Sequence, residues 1–383
     1  MKRGAALLLA VALLLTGCQG NAPGSQALVV VSAPVTAHPW IGQFLERGAR
    51  LAANSSDRVR IEVKDNAGSA QQAVAIARQA VSDGAVALVT DGVGARAVAQ
   101  VTDRAHLAVL IAFEGGASLI DPRAAPTLFR MAPANSAMCR RLADYLADIR
   151  PHEKVAVLSD DSSYGREGAT QSHRDLAHDE LPVVYDRAFT QQDVSVQVLA
   201  ARRSGAASLV VWAQAAGVAA VLRSARSSGW QVPVFAGPTG EDPLVRQQLA
   251  DHPEWVEGLT FASFRITSET GPEPFAAYRT IYEKAYGPDK IGVGDVVQPP
   301  DWSTYAFDSI NLVEAALERD PKHVLDALQQ VSITGANGDE RGFGPDDREG
   351  VSPDDIYFAR FHAMRFAPVK DDKLSTNLPV VPQ

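Results

Sequence analysis

The chain of 383 residues contains only two cysteines, Cys18 and Cys139. Small secreted domains that rely on disulfides in place of a large core carry several cysteine pairs, so this class of scaffold is excluded. Cys139 lies in a helical pattern, where a lone cysteine is usually a small buried hydrophobic residue. We therefore expect the fold to be stabilised by a hydrophobic core and not by covalent bridges.

Positive charge is also scarce, with 36 lysines and arginines against 45 aspartates and glutamates and a formal net charge of −9. Without the first eighteen residues, which contain Lys2 and Arg3, the balance becomes 34 − 45 = −11. Such a charge excludes nucleic acid and any extensive contact with anionic lipid as expected partners. After the N-terminal segment, no apolar stretch approaches the roughly 20 residues of a transmembrane helix, so the body of the chain is expected to be soluble.

The N-terminus itself is apolar. Its short positive start precedes an uninterrupted apolar run over residues 5–15, which is too short to span a bilayer and has the length of a signal-peptide core. The sequence Leu15–Cys18 follows and resembles the bacterial lipobox, in which the peptide is cut before the cysteine and the sulfur is acylated. We therefore expect an extracytoplasmic protein that Cys18 anchors to the cell membrane through a lipid.

Templates for catalysis are missing, because the chain has no P-loop, no G-x-S-x-G turn and no metal-ligand spacing among its eight histidines. One match exists: Gly92–Ala97 reads G-x-G-x-x-A, and Glu114 lies where a dinucleotide site places its ribose-binding acid. However, this turn follows the third predicted strand, not the first, and an exported protein meets no nicotinamide pool. We expect no enzyme, cofactor or metal site, and a turn whose backbone N–H groups suit a ligand carboxylate.

Strand and helix patterns alternate from residue 27 onward, which indicates βαβ units and parallel sheets. Strands are predicted at residues 27–32, 59–63, 86–90 and 107–113, and then, after a short crossing at 128–131, at 155–158, 183–189, 209–212 and 232–236. Helices at 274–286, 305–318 and 321–331 can complete the first block, and residues 355–366 alternate like a final strand. The mature chain exceeds what one core supports, so two α/β domains are expected, with a cleft at the carboxyl ends of their strands.

Three aromatic residues follow or end predicted strands, at the edge where parallel sheets bind ligands. Trp40 follows the first strand, Tyr164 follows the strand at 155–158, and Trp212 ends the strand at 209–212. We predict ligand contacts for Trp40 and Tyr164. Packing in the core or at a hinge is the alternative for all three, and above all for Trp212.

From about Leu28 to Phe366, the order and spacing of several short stretches resemble the type I periplasmic binding proteins of the leucine/isoleucine/valine-binding class. The stretches are Gly48–Arg50, Asp65 with Gln71–Val74, Asp161–Gly165, Leu222–Arg226 with Gly229, Phe235–Pro238, Glu257–Gly258 and Tyr305–Asp308. The resemblance implies two doubly wound parallel-sheet lobes joined by a hinge of three crossings, near Ala132–Ala134, Ser263–Ile266 and Ala336–Arg341. The expected division is a signal peptide at 1–18, a tether at 19–26, an N-terminal lobe at 27–133 plus 265–337, and a C-terminal lobe at 134–264 plus 338–383.

The resemblance also implies where a ligand would be held. In the first lobe, backbone amides and hydroxyls would bind it at Gly94 and Ala95 and at Gly115, Gly116, Ala117 and Ser118. In the second lobe, Tyr164 would close over it, and Gln214 and Thr239 would add hydrogen bonds. Two departures stand out: only Ser118 offers a hydroxyl in the first-lobe loops, and Thr239 stands where the family places the acid that binds the ammonium group. Either Glu241 or Asp242 reaches the cleft instead, or the ligand is not a standard α-amino acid.

Together these features predict a substrate-binding lipoprotein of an ABC transporter. It would be monomeric and would close on a small polar ligand, such as an amino acid, an amide or a related compound, and deliver it to a permease in the membrane. A ligand sensor for a membrane receptor on the same scaffold is the main alternative. A dinucleotide-dependent enzyme at the cell surface is the least favoured one.

Overall fold

The structure is a computed structural model, and it describes residues 26–116, 119–190, 192–264, 273–290, 297–362 and 365–368. The first lobe is built on five parallel strands in the order β2-β1-β3-β4-β5. Its elements are β1 (Ala27–Ala33), α1 (Pro39–Ala53), β2 (Val59–Asp65), α2 (Ala70–Ser82), β3 (Ala87–Thr90), α3 (Ala95–Ala105), β4 (Ala108–Ile111) and β5 (Leu128–Arg130). Alternate residues of β1 face opposite sides of this sheet, so Val29 and Val31 pack in one core layer while Leu28 and Val30 pack in the other.

The second lobe repeats this winding. Its elements are α4 (Asn135–Ile149), β6 (Val155–Asp160), α5 (Ser163–His178), β7 (Val183–Phe189), α6 (Val194–Arg203), β8 (Ser208–Trp212), α7 (Ala215–Ser227), β9 (Val234–Ala236), α8 (Pro243–Gln248) and β10 (Leu259–Phe264). The parallel part has the order β7-β6-β8-β9-β10, which matches the order in the first lobe. The prediction of two doubly wound α/β lobes is therefore confirmed.

After β10 the chain returns to the first lobe and then ends in the second. The returning elements are α9 (Glu273–Tyr286), β11 (Asp289–Lys290), β12 (Val297–Gln298), α10 (Asp301–Arg319), α11 (Val324–Ala327), β13 (Ser332–Thr334) and β14 (Glu340–Gly342), followed by β15 (Ile356–His362) and β16 (Arg365–Pro368). Strand β15 pairs antiparallel with β10, and β16 pairs antiparallel with β15. The second sheet is therefore mixed at this edge and not purely parallel.

Helix α10 completes the first lobe by packing on α1, as expected for helices that follow the second block. The two helices approach most closely at Gly48, where a Cβ would overlap the carbonyl oxygen of Ser303 and lie 3.3 Å from the backbone nitrogen of Phe307. This close approach fixes the start of α10, which carries Asp301, Trp302 and Tyr305.

The chain passes between the lobes three times. The first passage lies between Ala132, which packs in the first core, and Asn135, which begins α4. The second lies between β10 of the second lobe and α9 of the first, and the crossing predicted at Ser263–Ile266 falls partly outside the described residues. The third lies between Val351, in the first core, and Ile356, in the second.

The third passage differs from the position predicted at Ala336–Arg341, and with it the boundary between residues 337 and 338. Strand β14 pairs back on β13, and Phe343 packs in the first core. Residues 348–350 then run along β5, where Arg130 donates from Nε to Glu349 Oε2 at 2.7 Å. These contacts keep the chain on the first lobe until about residue 351.

The predicted signal peptide, Cys18 and nearly all of the tether lie outside the described residues. Within the described ranges, no helix has the length and apolar character needed to cross a membrane.

Besides the three passages, a buried polar contact joins the lobes. Arg246 in α8 donates a hydrogen bond to Gln298 in β12, and both side chains are buried. Beside them, the buried carboxyl of Asp301 lies next to that of Glu241, which is fully inaccessible to solvent. Burial raises the pKa of Asp301 well above its ordinary value, and the negative charge of Glu241 adds to that rise. Asp301 therefore binds a proton more readily than an exposed aspartate does.

Replacing Gly48 by alanine should destabilise the protein. Alanine normally favours a helix over glycine by about 1 kcal/mol, but here its methyl group must push α1 away from the backbone of α10. Overpacking of this kind costs about 1–3 kcal/mol, which urea unfolding would measure. A Gly48→Ala variant as stable as the wild type would contradict this packing.

Replacing Asp301 by asparagine should reduce the loss of stability at rising pH. A carboxyl whose folded-state pKa is raised stabilises the protein most below its unfolded pKa and loses that contribution as pH rises through the folded value. One such proton contributes a slope of up to about 1.4 kcal/mol per pH unit. Thermal or urea unfolding of wild type and Asp301→Asn between pH 5 and pH 8 would isolate this difference. Parallel stability curves for the two proteins would show that Asp301 carries no such proton.

Candidate functional site

A cavity of about 390 Å³ lies between the lobes, at the carboxyl ends of the strands of both sheets. It is lined from the first lobe by His38, Ile41, Gly68, Asp91, Val93, Phe113, Glu114, Gly115, Ala132, Pro133, Trp302 and Tyr305, and from the second by Asn135, Met138, Tyr164, Gln214, Pro238, Thr239 and Asp242. Grooves of about 590 and 640 Å³ exist elsewhere on the described surface, but each is lined by a single lobe. To the interlobe cavity, both lobes contribute the loops that follow their strands.

Two carboxylates of the first lobe face this cavity. Asp91 follows β3 directly, and its Oδ1 accepts hydrogen bonds from Asn66 Nδ2 at 2.8 Å and Thr90 Oγ1 at 3.2 Å. Glu114 follows the end of β4 and is exposed towards the cavity. Burial raises the pKa of Asp91 above its usual range, because its hydrogen-bond donors are neutral and offset only part of the cost of removing the charge from water.

These carboxylates also accept hydrogen bonds from backbone N–H groups of their own loops. Val93 N–H donates to Asp91 Oδ1 at 3.4 Å, and Gly116 N–H donates to Glu114 Oε1 at 3.0 Å. The first-lobe loops were predicted to offer such N–H groups to an anionic ligand. In the structure, both of these donors point instead at carboxylates of the chain.

The glycines of the G-x-G-x-x-A sequence allow close packing of the chain in this region. A Cβ on Gly92, at a φ of +111°, would overlap Cβ of Glu114. A Cβ on Gly94, which has a φ of +67° and precedes α3, would lie 2.7 Å from Cβ of Ala70. Only glycine fits these two positions, since each combines a left-handed backbone with a close neighbour. The motif is thus explained by the contact between adjacent strand-end loops.

Aromatic side chains form one wall of the cavity. Trp302 and Tyr305 from the first turns of α10 both meet the ring of Phe113 edge to face, with centroid separations of 5.4 and 5.2 Å. Phe44 of α1 supports Trp302 from behind at 6.2 Å. The wall is therefore rigid and apolar, and it depends on the docking of α10 against α1.

In the second lobe, a short chain of hydroxyl groups borders the cavity. Thr239 Oγ1 donates to the carbonyl oxygen of Ala213 at 2.6 Å and lies 3.4 Å from the hydroxyl of Tyr164. Because the hydrogen of Thr239 is used by Ala213, the Tyr164 hydroxyl is the donor in the second contact. Burial raises the pKa of Tyr164, so its hydroxyl keeps this hydrogen.

The position of Tyr164 is set by buried neighbours. Its ring packs on that of Trp212 at a centroid separation of 5.5 Å, and Trp212 is fully buried. A Cβ on Gly237 would lie 2.6 Å from the Trp212 ring, so glycine is needed for this arrangement. Trp212 is a packing residue beneath the cavity, which was the alternative stated for it.

Asp160, at the end of β6, joins two of the second-lobe loops. Its Oδ2 accepts the backbone N–H of Gln214 at 2.6 Å, and its Oδ1 accepts the backbone N–H of Ser162 at 3.2 Å. Ser162 in turn caps α5 by accepting the N–H of Gly165 at 2.9 Å. These bonds hold the loop that precedes Tyr164 against the one that carries Gln214.

The structure distinguishes the two acids that follow Thr239. Asp242 lines the cavity and caps α8, accepting the N–H of Leu244 at 2.8 Å. Burial raises its pKa, although the charges of His38 and Arg246 act in the opposite direction. Glu241 is fully buried, does not line the cavity and lies beside Asp301. The carboxylate available to a ligand on this side is therefore that of Asp242.

The sequence-based site residues divide into three groups. Gly115, Tyr164, Gln214 and Thr239 line the cavity, whereas Trp40, Gly94, Ala95, Gly116 and Glu241 do not, and Ala117 and Ser118 lie outside the described residues. Trp40 is half-buried and packs on Phe44 at a centroid separation of 6.4 Å, because α1 begins at Pro39 and directs its ring towards the core. Its neighbours His38 and Ile41 line the cavity instead.

Sequence reasoning did not select several lining residues as ligand contacts, among them Asp91, Phe113, Asn135, Trp302 and Tyr305. Asp91 and Phe113 stand at the ends of predicted strands and could have been found by that position. Trp302 and Tyr305 come from a helix almost two hundred residues further along the chain. Their place in the site follows from the return of α10 to the first lobe.

Comparison with known proteins agrees with this architecture. A family model described as periplasmic binding protein matches residues 32–373, which is most of the chain. No curated protein sequence gives a significant match.

Solved structures share the fold at low sequence identity. The branched-chain amino acid transporter substrate-binding protein LivJ from Streptococcus pneumoniae, in complex with isoleucine, has a TM-score of 0.76 and 17% identity over 89% of this chain and 98% of that chain. A substrate-binding protein from Desulfitobacterium hafniense in complex with Leu has a TM-score of 0.74 and 18% identity, over 90% and 100% of the two chains. A solute-binding protein from Rhodopseudomonas palustris in complex with 3,4-dihydroxybenzoic acid has a TM-score of 0.73 and 15% identity, over 89% and 95%.

The family match and the packing role of the glycines argue against the dinucleotide-dependent enzyme that was considered for Gly92–Ala97. The likeness to solved structures places both lobes in the type I fold. The chain belongs to the periplasmic binding protein family and is a solute-binding protein, not an enzyme.

Proposed function

We propose that this protein is the extracytoplasmic substrate-binding component of an ABC transporter and binds one small polar molecule between its lobes. The observation that carries the proposal is the interlobe cavity, to which the strand-end loops of both sheets contribute side chains. A cavity of about 390 Å³ suits a solute of the size of an amino acid or somewhat larger. Transporter proteins of the same fold hold such ligands, namely leucine, isoleucine and 3,4-dihydroxybenzoic acid.

Binding is proposed to proceed by closure of the second lobe on a ligand held by the first. Phe113, Trp302 and Tyr305 offer a preformed surface in the first lobe, and Tyr164, Gln214 and Thr239 approach from the second. Closure excludes water, which strengthens each hydrogen bond to the ligand. The relative position of the lobe surfaces would then report occupancy to the permease.

The attachment to the membrane is part of the same proposal. Cys18 would carry the lipid after removal of the signal peptide, and the residues up to Gln26 would act as a tether. An anchored protein of this kind stays close to its permease without spanning the bilayer. Its small solutes would be captured outside the cell and released into the transporter.

A thermal-shift panel of amino acids, amides, polyamines and small carboxylates should identify at least one stabilising solute. A ligand present at a hundred times its dissociation constant stabilises the folded state by about 2.7 kcal/mol. Tyr164→Ala should weaken binding of that solute at least tenfold, and Tyr164→Phe, which keeps the ring, should weaken it less. Wild-type affinity in Tyr164→Ala would remove Tyr164 from the site, and a panel without any shift would contradict the proposed function.

Replacing Cys18 by alanine should release the protein from the membrane. Without the cysteine sulfur there is no attachment site for the acyl chains. The free energy of burying those chains in the membrane is then lost. Fractionation of cells that express wild type and Cys18→Ala would show the variant in the medium or the soluble fraction. Cys139→Ala serves as the control and should stay with the membrane, since Cys139 is buried in α4. Equal membrane association of the Cys18 variant would contradict the lipid anchor.

A further inference from the structure

We propose that the solute is a cationic amine that lacks a carboxylate group, such as a diamine or an arylalkylamine. This inference rests on the proposed function of the interlobe cavity as the ligand site. It concerns the charge and shape of the ligand, which family membership alone leaves open.

The first support is the charge of the lining. Asp91 and Glu114 face the cavity from the first lobe and Asp242 from the second, while no lysine or arginine is among the described residues that line it. Among the described residues, none of these three carboxylates forms an ion pair with a lysine or arginine. His38 is the one basic side chain of the described lining. The cavity therefore presents more negative than positive charge to its contents.

The nearest guanidinium groups are committed elsewhere. Arg130 is almost fully buried, pairs with Glu349 through two nitrogens and donates from Nη1 to the carbonyl oxygen of Gly116 at 2.7 Å. Arg246 is buried, donates to Gln298 and lies beside Glu241. Neither lines the cavity, so a ligand carboxylate would find no arginine there to bind it.

The second support is the hydrogen bonding within the first-lobe loops. The N–H groups of Val93 and Gly116 already donate to Asp91 and Glu114. An α-carboxylate placed at these loops would meet two like charges in a partly buried site, which is strongly unfavourable. A ligand ammonium at the same place would instead meet carboxylates that can accept further hydrogen bonds.

The third support is the remaining lining, which suits the carbon skeleton of an amine. Phe113, Trp302 and Tyr305 offer aromatic surfaces, which attract cations through their ring electrons when the charge lies within about 6 Å. Tyr164 adds a further aromatic ring to the lining, and its hydroxyl donates to Thr239. Burial raises the pKa values of Asp91 and Asp242, and a bound cation would act in the opposite direction by favouring their charged forms.

Matched pairs of ligands test this inference on the mature full-length protein. Each pair is an amine and the amino acid from which it differs only by the carboxylate: 1,5-diaminopentane and lysine, agmatine and arginine, tyramine and tyrosine, 3-methylbutylamine and leucine. Isothermal titration calorimetry should give, for at least one pair, an affinity at least tenfold higher for the amine. An amino acid that binds as tightly as its amine in every pair, or more tightly, would overturn the inference.

Two substitutions test whether the cavity carboxylates bind the amine. Asp91→Asn and Asp242→Asn each remove one charge with little change of shape, and asparagine can still cap α8. Each should weaken binding of the preferred amine at least tenfold. Asp57→Asn is the matched control, because Asp57 is exposed and precedes β2 at the opposite end of the sheet, and it should leave the affinity unchanged. Wild-type affinity in both cavity variants, verified as folded by circular dichroism, would also overturn the inference.

The outcome separates this inference from the proposed function. If only neutral or anionic members of a wider solute panel bind, the cleft is a ligand site but the ligand is not a cationic amine. If neither the pairs nor the panel gives any binding, both the inference and the proposed function fail.

Discussion

In a parallel sheet every strand ends at the same edge, and the loops that follow the strands are brought together there. Here two sheets of the same strand order face each other with those edges, so Asp91, Phe113, Tyr164 and Thr239 meet although they come from distant parts of the sequence. No single continuous segment of the chain forms the site. It depends on the docking of α10 against α1 at Gly48, which brings the aromatic wall to the first lobe.

The charge of the cleft is a consequence of which residues follow the strands. In the first-lobe loops, where the family resemblance implied backbone donors for an anion, Asp91 and Glu114 accept the N–H groups of Val93 and Gly116. The same strand-end geometry that can bind a carboxylate thus becomes a place for a positive group. Solved structures of the same shape share only 17–18% of their residues with this chain, so the fold does not fix which side chains follow the strands.

Much of the architecture could be predicted from the sequence, because alternating strands and helices have clear periodicities. The site was only partly predictable. Tyr164 was located by its position after a strand, and Gln214 and Thr239 by the family resemblance, whereas Gly94 and Ala95 stand at the start of a helix and do not line the cavity. The aromatic wall depends on the return of a late helix, and the passage near residue 351 depends on a small hairpin. Such long-range packing leaves no local pattern in the sequence.

The most direct test of this account is a crystal structure of the protein with the amine that binds most tightly among the matched pairs. The account predicts electron density in the interlobe cavity, with a ligand nitrogen about 2.7–3.2 Å from a carboxylate oxygen of Asp91, Glu114 or Asp242 and the carbon skeleton against Trp302 and Tyr305. A ligand bound outside this cavity, or one whose nitrogen contacts none of the three carboxylates, would contradict it.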